Sequence, residues 1–288
     1  MEIDHDLTAG TLMIKQSRYI DNTTSWLNQQ DAKTVVNPCE SGMKLTKKQS
    51  PTTNAEREDM KTKPYRSRVG GLLYITTCTR PDVACVVTQL SRFLENPGQQ
   101  NWRVAIRVLR YLKPTKNFGI IYNGNDGKVV LEAYTDADWG SNLDDRRSVS
   151  VVMIMIGNAP VVFKSKYQRT VALSSAVAEY MALSLCPQEQ GIVTVAYVGT
   201  EDQLAEMLTK ALGTKRIKFL VDACGIHTEP AQHYTVSGSA DKAGSAARAR
   251  RRRARGCSRY DDGPTGHVRH VLRQDPMAGI IKPRLYQS

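Results

Sequence analysis

The stretch "KVVLEAYTDADWG", residues 128–140, decides how the rest of this chain is read. An apolar run of strand character ends on two aspartates one residue apart, Asp136 and Asp138. The pair is open to three readings: a solvated turn at a strand end, a calcium loop, or one half of a metal-dependent nuclease. As a calcium loop it fails. Asp136 and Asp138 fit the first and third positions, but the sixth would be Ser141 and the twelfth Arg147, a cation where a bidentate glutamate must sit. For a bare Asp-x-Asp the turn is the ordinary outcome.

Glu179 raises the nuclease reading. It is the only charged residue between Ala176 and Leu185, in "SSAVAEYMALSLC", where Ser174 or Ser175 offers a helix N-cap. A hard cation needs several oxygen ligands, and two-metal hydrolysis needs two ions roughly 4 Å apart, so carboxylates from a strand end and a helix must converge. Two carboxylates alone do not decide the matter.

Outward from the aspartates the apolar period is two. "FGIIYNGNDGKVVLEAYTDADW" reads as a hairpin turning at Asn-Asp-Gly, and "SVSVVMIMIG" and "APVVFKSKY" add two strands. The helix carrying Glu179 follows, then a strand in "GIVTVAYVG". A terminal helix runs through "TEDQLAEMLTKALGTKRIKFLVDACG", its first turn acidic as the macrodipole prefers. Upstream, "PYRSRVGGLLYITTCTRPDVACVVTQLSRFLENPGQQNWRVAIRVLRYLKPT" has helical spacing, giving two helices split by Pro81 and a third from Trp102 to Leu112. That third helix sets Arg103, Arg107 and Arg110 apart from its apolar positions, as either a solvated face or a phosphate-tracking one. Residues 1–20 read as two short strands around Ala9-Gly10 before a helical piece reaching Trp26. Residues 37–63 read as a long connecting loop. The sum is an α/β (α+β) fold.

The chain of 288 residues is 41% hydrophobic, enough for a real core. Its six cysteines are scattered and show no C-x-x-C pair, so neither a zinc site nor a disulfide framework is indicated. No apolar run reaches the roughly 18 residues of a membrane span. The net charge of +12 suggests a polyanionic partner, yet residues 229–288 hold 12 Lys/Arg against 5 Asp/Glu, leaving 28 against 23 for the rest. Six arginines fall within Arg248–Arg255, Arg250, Arg251, Arg252 and Arg253 among them, in a low-complexity tail whose composition predicts disorder. A phosphate grip, a nuclear-import signal and translated non-coding sequence all fit that run.

Several motifs, in order, carry a resemblance. "YTDADWG" with "DRRSVSV", "KSKYQRTVALSSAVAEYMALS" and "VGTEDQLAEMLTKAL" are similar to the ribonuclease H domain ending Ty/copia-type retrotransposon Pol polyproteins. "PYRSRVGGLLYITTCTRPDVACVVTQLSRFLENPG" with "VLRYLKPTKNFGI" resembles the connection segment before that domain, and "MEIDHDLTAGTLMIKQSRYI" the end of reverse transcriptase. The resemblance covers about residues 1–226. It implies a reverse-transcriptase remnant at 1–36, a linker at 37–64, a helical connection segment at 65–117, a ribonuclease H-like domain with a mixed sheet at 118–226, and the basic tail at 227–288.

The resemblance also implies a Mg²⁺ site and an RNA:DNA hybrid partner, beside other Pol segments, in a cytoplasmic virus-like particle. Residue by residue, the family's metal-binding carboxylates fall on Asp136, Glu179 and Glu206, the last standing where the family has aspartate. A fourth has no counterpart, because Cys186 runs through "PQEQGIVTVAY" straight into the next strand where the family has another strand, a helix and an aspartate. One core strand and helix are therefore expected to be missing, the flank of the Asp136 strand to be exposed, and residues 192–198 are the candidates to fill it. The polymerase's catalytic aspartates would precede Met1, so polymerase activity is not assigned. The expected function is a weak or inactive fragment of a hybrid-cleaving nuclease. The alternative is a non-catalytic nucleic-acid binder using Arg103, Arg107, Arg110 and the arginine run.

Overall fold

A computed structural model of the chain describes residues 1–26, 29, 31–124, 131–186, 194–228 and 270–273. The described residues fall in one compact unit. The elements are β1 (Glu2–Asp6), β2 (Thr11–Lys15), α1 (Ser17–Ser25), α2 (Asn54–Lys61), α3 (Tyr65–Cys78), α4 (Ala84–Ser91), α5 (Gln99–Leu112), β3 (Gly119–Asn123), β4 (Leu131–Asp138), β5 (Val149–Ile156), β6 (Ala159–Tyr167), α6 (Ser175–Leu183), β7 (Thr194–Tyr197), α7 (Glu206–Thr209), α8 (Thr214–Ala223), β8 (Ile226–His227) and β9 (His270–Arg273). The class is α+β.

Two sheets form. One has the order β1-β2-β3-β8 and the other β6-β5-β4-β9-β7. Every pairing among the described residues is antiparallel, so the mixed sheet expected from the resemblance is not seen there. The hairpin expected around Asn-Asp-Gly is also corrected. β3 pairs with β2, Met13 opposite Ile121, and β4 belongs to the other sheet; the turn itself, residues 125–127, lies outside the described residues.

The helical segment has its own core, in which α3, α4 and α5 bury Leu72, Ile75, Val87, Leu90, Val108 and Leu109. Beneath it Arg80 and Asp82 form a fully buried pair in the turn between α3 and α4, two hydrogen bonds of 3.0 and 2.7 Å. The linker reading needs amending: α2 stands inside it, capped by Thr53, whose hydroxyl accepts from Glu56 N while Glu56 Oε2 accepts from Thr53 N.

β5 explains the second core. Its near-continuous apolar run is buried on both faces, as a central strand covered on two sides requires. Val151, Met153 and Met155 pack with Met207, Leu208 and Leu220 of α7 and α8, whereas Val152 and Ile154 pack with Ala133 and Cys186 on the α6 side. The expected terminal helix is split. α7 ends at Thr209, Lys210 is extended with ψ 148°, and α8 restarts after Gly213.

Of residues 192–198, the described ones, 194–198, do not take the place beside β4. β9, from the tail expected to be irregular, takes it, and β7 pairs on β9's far side. Arg250, Arg251, Arg252 and Arg253 lie outside the described residues.

Candidate functional site

β4 presents its carboxylates by the alternation of a pleated strand. Ala137 packs with Ala178 and Ala182 of α6, so Asp136, one residue earlier, faces the opposite side, toward α7. There it is 2% exposed, and its Oδ2 accepts a hydrogen bond of 2.9 Å from the Thr209 hydroxyl. Lys210, the next residue, places Nζ 4.0 Å from Asp136 Oδ2 and 3.5 Å from Glu206 Oε1. Glu206 is also held by Arg216 of α8, through Nε at 2.9 Å and Nη2 at 2.8 Å to Oε2. Arg216 also donates from Nη1 to the Glu201 carbonyl and from Nη2 to the Thr200 carbonyl. Asp136 and Glu206 therefore share one neighbourhood, bridged by an ammonium and backed by a guanidinium.

Glu179 comes from the helix that covers Ala137. It is buried on α6, whose N-cap is Ser174, its hydroxyl accepting from Val177 N at 3.2 Å, and whose apolar stripe covers the Ala137 side of the sheet. Asp138 is more than a turn residue. It accepts from Val149 N at 2.6 Å, closing the loop from Trp139 to Ser148, in which Gly140 has φ +57°. Burial, with a smaller push from Asp136, raises its carboxyl from 3.8 to about 6 against the opposing hydrogen bonds of Ser141 and Val149.

These residues as arranged do not fit a divalent ion. Glu206 is committed to Arg216 and Lys210, and among the described residues no group of three or more His, Cys, Asp or Glu side chains is placed to hold a metal. Sequence reasoning had singled out Asp136 and Glu206 but not Thr209, Lys210 or Arg216. The spacing of Glu206 and Lys210, four apart in "EMLTK", was the available signal.

The basic helix is committed too. Arg107 pairs with Glu40 at 3.2 Å and Arg110 Nε donates to the Lys33 carbonyl at 2.5 Å, so two of the three arginines tie the 33–40 segment onto α5; Arg103 is exposed. Among the described residues no helix is long and apolar enough to cross a membrane.

The fold and site define an antiparallel α+β domain with a carboxylate pair set between a central strand and a short helix, joined to a helical module. Comparison with known proteins finds relatives of one kind above all. The chain is 39% identical over 182 residues to the retrovirus-related Pol polyprotein from transposon TNT 1-94 of Nicotiana tabacum, covering 63% of this chain and 14% of that one. It is 35% identical over 179 residues to the corresponding polyprotein from transposon RE1 of Arabidopsis thaliana, covering 60% of this chain and 11% of that one. It is also 43% identical over 136 residues to secreted RxLR effector protein 161 of Plasmopara viticola, 47% of this chain and 95% of that protein. No protein-family model matches the chain, and no solved structure does. These similarities support a copia-type Pol fragment, and the chain spans about a seventh or less of the polyproteins it matches.

Proposed function

We propose that the chain descends from the end of reverse transcriptase, the connection segment and the ribonuclease H domain of such a polyprotein, and that it cleaves RNA:DNA hybrids weakly or not at all. The observation that carries this reading is the state of the two carboxylates that face each other, Asp136 held by Thr209 and Lys210, and Glu206 held by Arg216 and Lys210. A buried strand aspartate, a three-strand meander and a following helix with a buried glutamate support descent from a fold that gathers carboxylates. Internal cations on that pair support loss of metal-dependent chemistry, since a carboxylate already neutralised in a buried site gains little from a second cation that must shed its water.

The test is direct. The full chain is incubated with a labelled RNA:DNA hybrid and Mg²⁺ or Mn²⁺, beside the Asp136→Asn variant. The expected result is cleavage no faster than that of the variant. Robust cleavage by the wild type that Asp136→Asn abolishes would overturn the inactive reading.

A further inference from the structure

The sheet position beside β4 is filled from far along the chain. β9 lies between β4 and β7, with His270 opposite Thr135 on one side and Tyr197 on the other, and Arg273 opposite Glu132 and Thr194. Among the described residues β7 pairs with no strand but β9, so without β9 both β4 and β7 present open ladders to the same gap. With β9 in place Ala133 is 0% and Thr135 2% exposed, and backbone groups of β4 left without that ladder are costly to leave unmet.

We propose that the gap between β4 and β7 is a strand-acceptor site, and that two copies of this chain exchange their β9 strands through it. The inference does not depend on the nuclease ancestry. Recognition runs through the main chain of an antiparallel ladder, so the acceptor takes the β9 of a second copy as readily as its own. β9 is only four residues long, which lets it leave and return. Forty-two residues of chain, 228–269, separate β8 from β9, so the pairing of β9 with β4 is distant in sequence and not that of a local hairpin. Each copy carries both donor and acceptor, and a reciprocal exchange closes as a two-fold dimer.

Val271, opposite Tyr134 and Ala196, is the position to break. In the full-length Val271→Pro variant, hydrogen exchange at the amides of residues 131–135 should accelerate by about tenfold or more, because proline removes a ladder donor. A synthetic peptide of residues 267–276 should restore the protection, and a scrambled peptide should not. The wild type should show a dimer fraction that rises with concentration in light scattering and falls when excess peptide is added. That last measurement stands even if the variant fails to fold. Unchanged protection in Val271→Pro, or protection lost and not restored by the peptide, would overturn the acceptor site. A wild type that stays monomeric at every concentration would overturn the exchange.

Discussion

The hydroxyl of Thr209 donates to Asp136 Oδ2 across 2.9 Å, joining the last residue of α7 to the buried carboxylate of β4. Both groups are nearly sealed from solvent, at 3% and 2% exposure, so the bond is charge-assisted and water does not replace it. Thr209→Val keeps the shape and removes the donor. Urea unfolding should show a loss of about 1–3 kcal/mol, the range for stripping a partner from a buried polar group. Thr209→Ser, which keeps the hydroxyl, should recover most of it. Equal stability of Thr209→Val and wild type would mean that the Thr209 hydroxyl does not hold Asp136.

Asp138 makes stability depend on pH. Its carboxyl, raised by burial from 3.8 to about 6, holds its proton in the folded chain where the unfolded chain has lost it. Between pH 4 and 6 the folded state therefore binds more protons, and this group's contribution falls as pH rises through that window. Asp138→Asn still offers an oxygen to Val149 N but does not titrate. Thermal unfolding from pH 4 to 6 should show the wild type losing stability relative to the variant, with a slope difference of up to about 1.4 kcal/mol per pH unit. Parallel curves would contradict the assignment.

Arg80 and Asp82 set a different test. Besides its two bonds to Asp82, Arg80 donates to the Thr115 carbonyl and hydroxyl at 2.8 Å each, and Asp82 Oδ2 accepts from the Tyr111 hydroxyl at 2.8 Å. Removing one charge strands the other in a site with no exposure, so Asp82→Ala should cost about 3–5 kcal/mol in chemical denaturation. The double variant Arg80→Met with Asp82→Leu should recover most of that loss, because the uncompensated charge is gone. A double variant as unstable as Asp82→Ala would show that the tyrosine and threonine bonds, rather than the ion pair, carry the stability.

What the sequence made legible follows from how local each signal is. The period-two run of β5 and β6, the cap before α6 and the helices either side of Pro81 depend on neighbouring residues, and each formed where its pattern lay. β3 was assigned to the wrong partner because its pairing with β2 joins residues more than 100 apart, which no local turn signal encodes. α2 was legible and overlooked, for Thr53-x-x-Glu56 is a capping box in the plain sequence. The carboxylates were readable as residue types. Which of them meet was not, because Ala137 facing α6 and Asp136 facing α7 is decided by how helices cover the two faces. Nothing local to "RHVLR" marked it as the strand that would lie against β4.

Arg68 offers the last prediction. It is 2% exposed on α3, its guanidinium carbon 5.1 Å from the Trp102 ring centre, and its Nε and Nη1 have no hydrogen-bond partner. Burial alone lowers its affinity for the proton, to about 10 from 12.5, which is the signature of a charge held where solvent does not reach it. The stacking on Trp102 offsets part of that cost but satisfies no donor. Leucine is shorter, suits a buried position on α3 beside Trp102, and leaves no donor unmet. Arg68→Leu should therefore raise the unfolding free energy, by about 1–4 kcal/mol on the precedent of buried charges replaced by apolar side chains, and the melting temperature with it. Arg68→Lys keeps a charge and loses the planar stack on Trp102, so it should fall below wild type. If Arg68→Leu melts lower than wild type, the guanidinium's packing against Trp102 outweighs the desolvation of its charge.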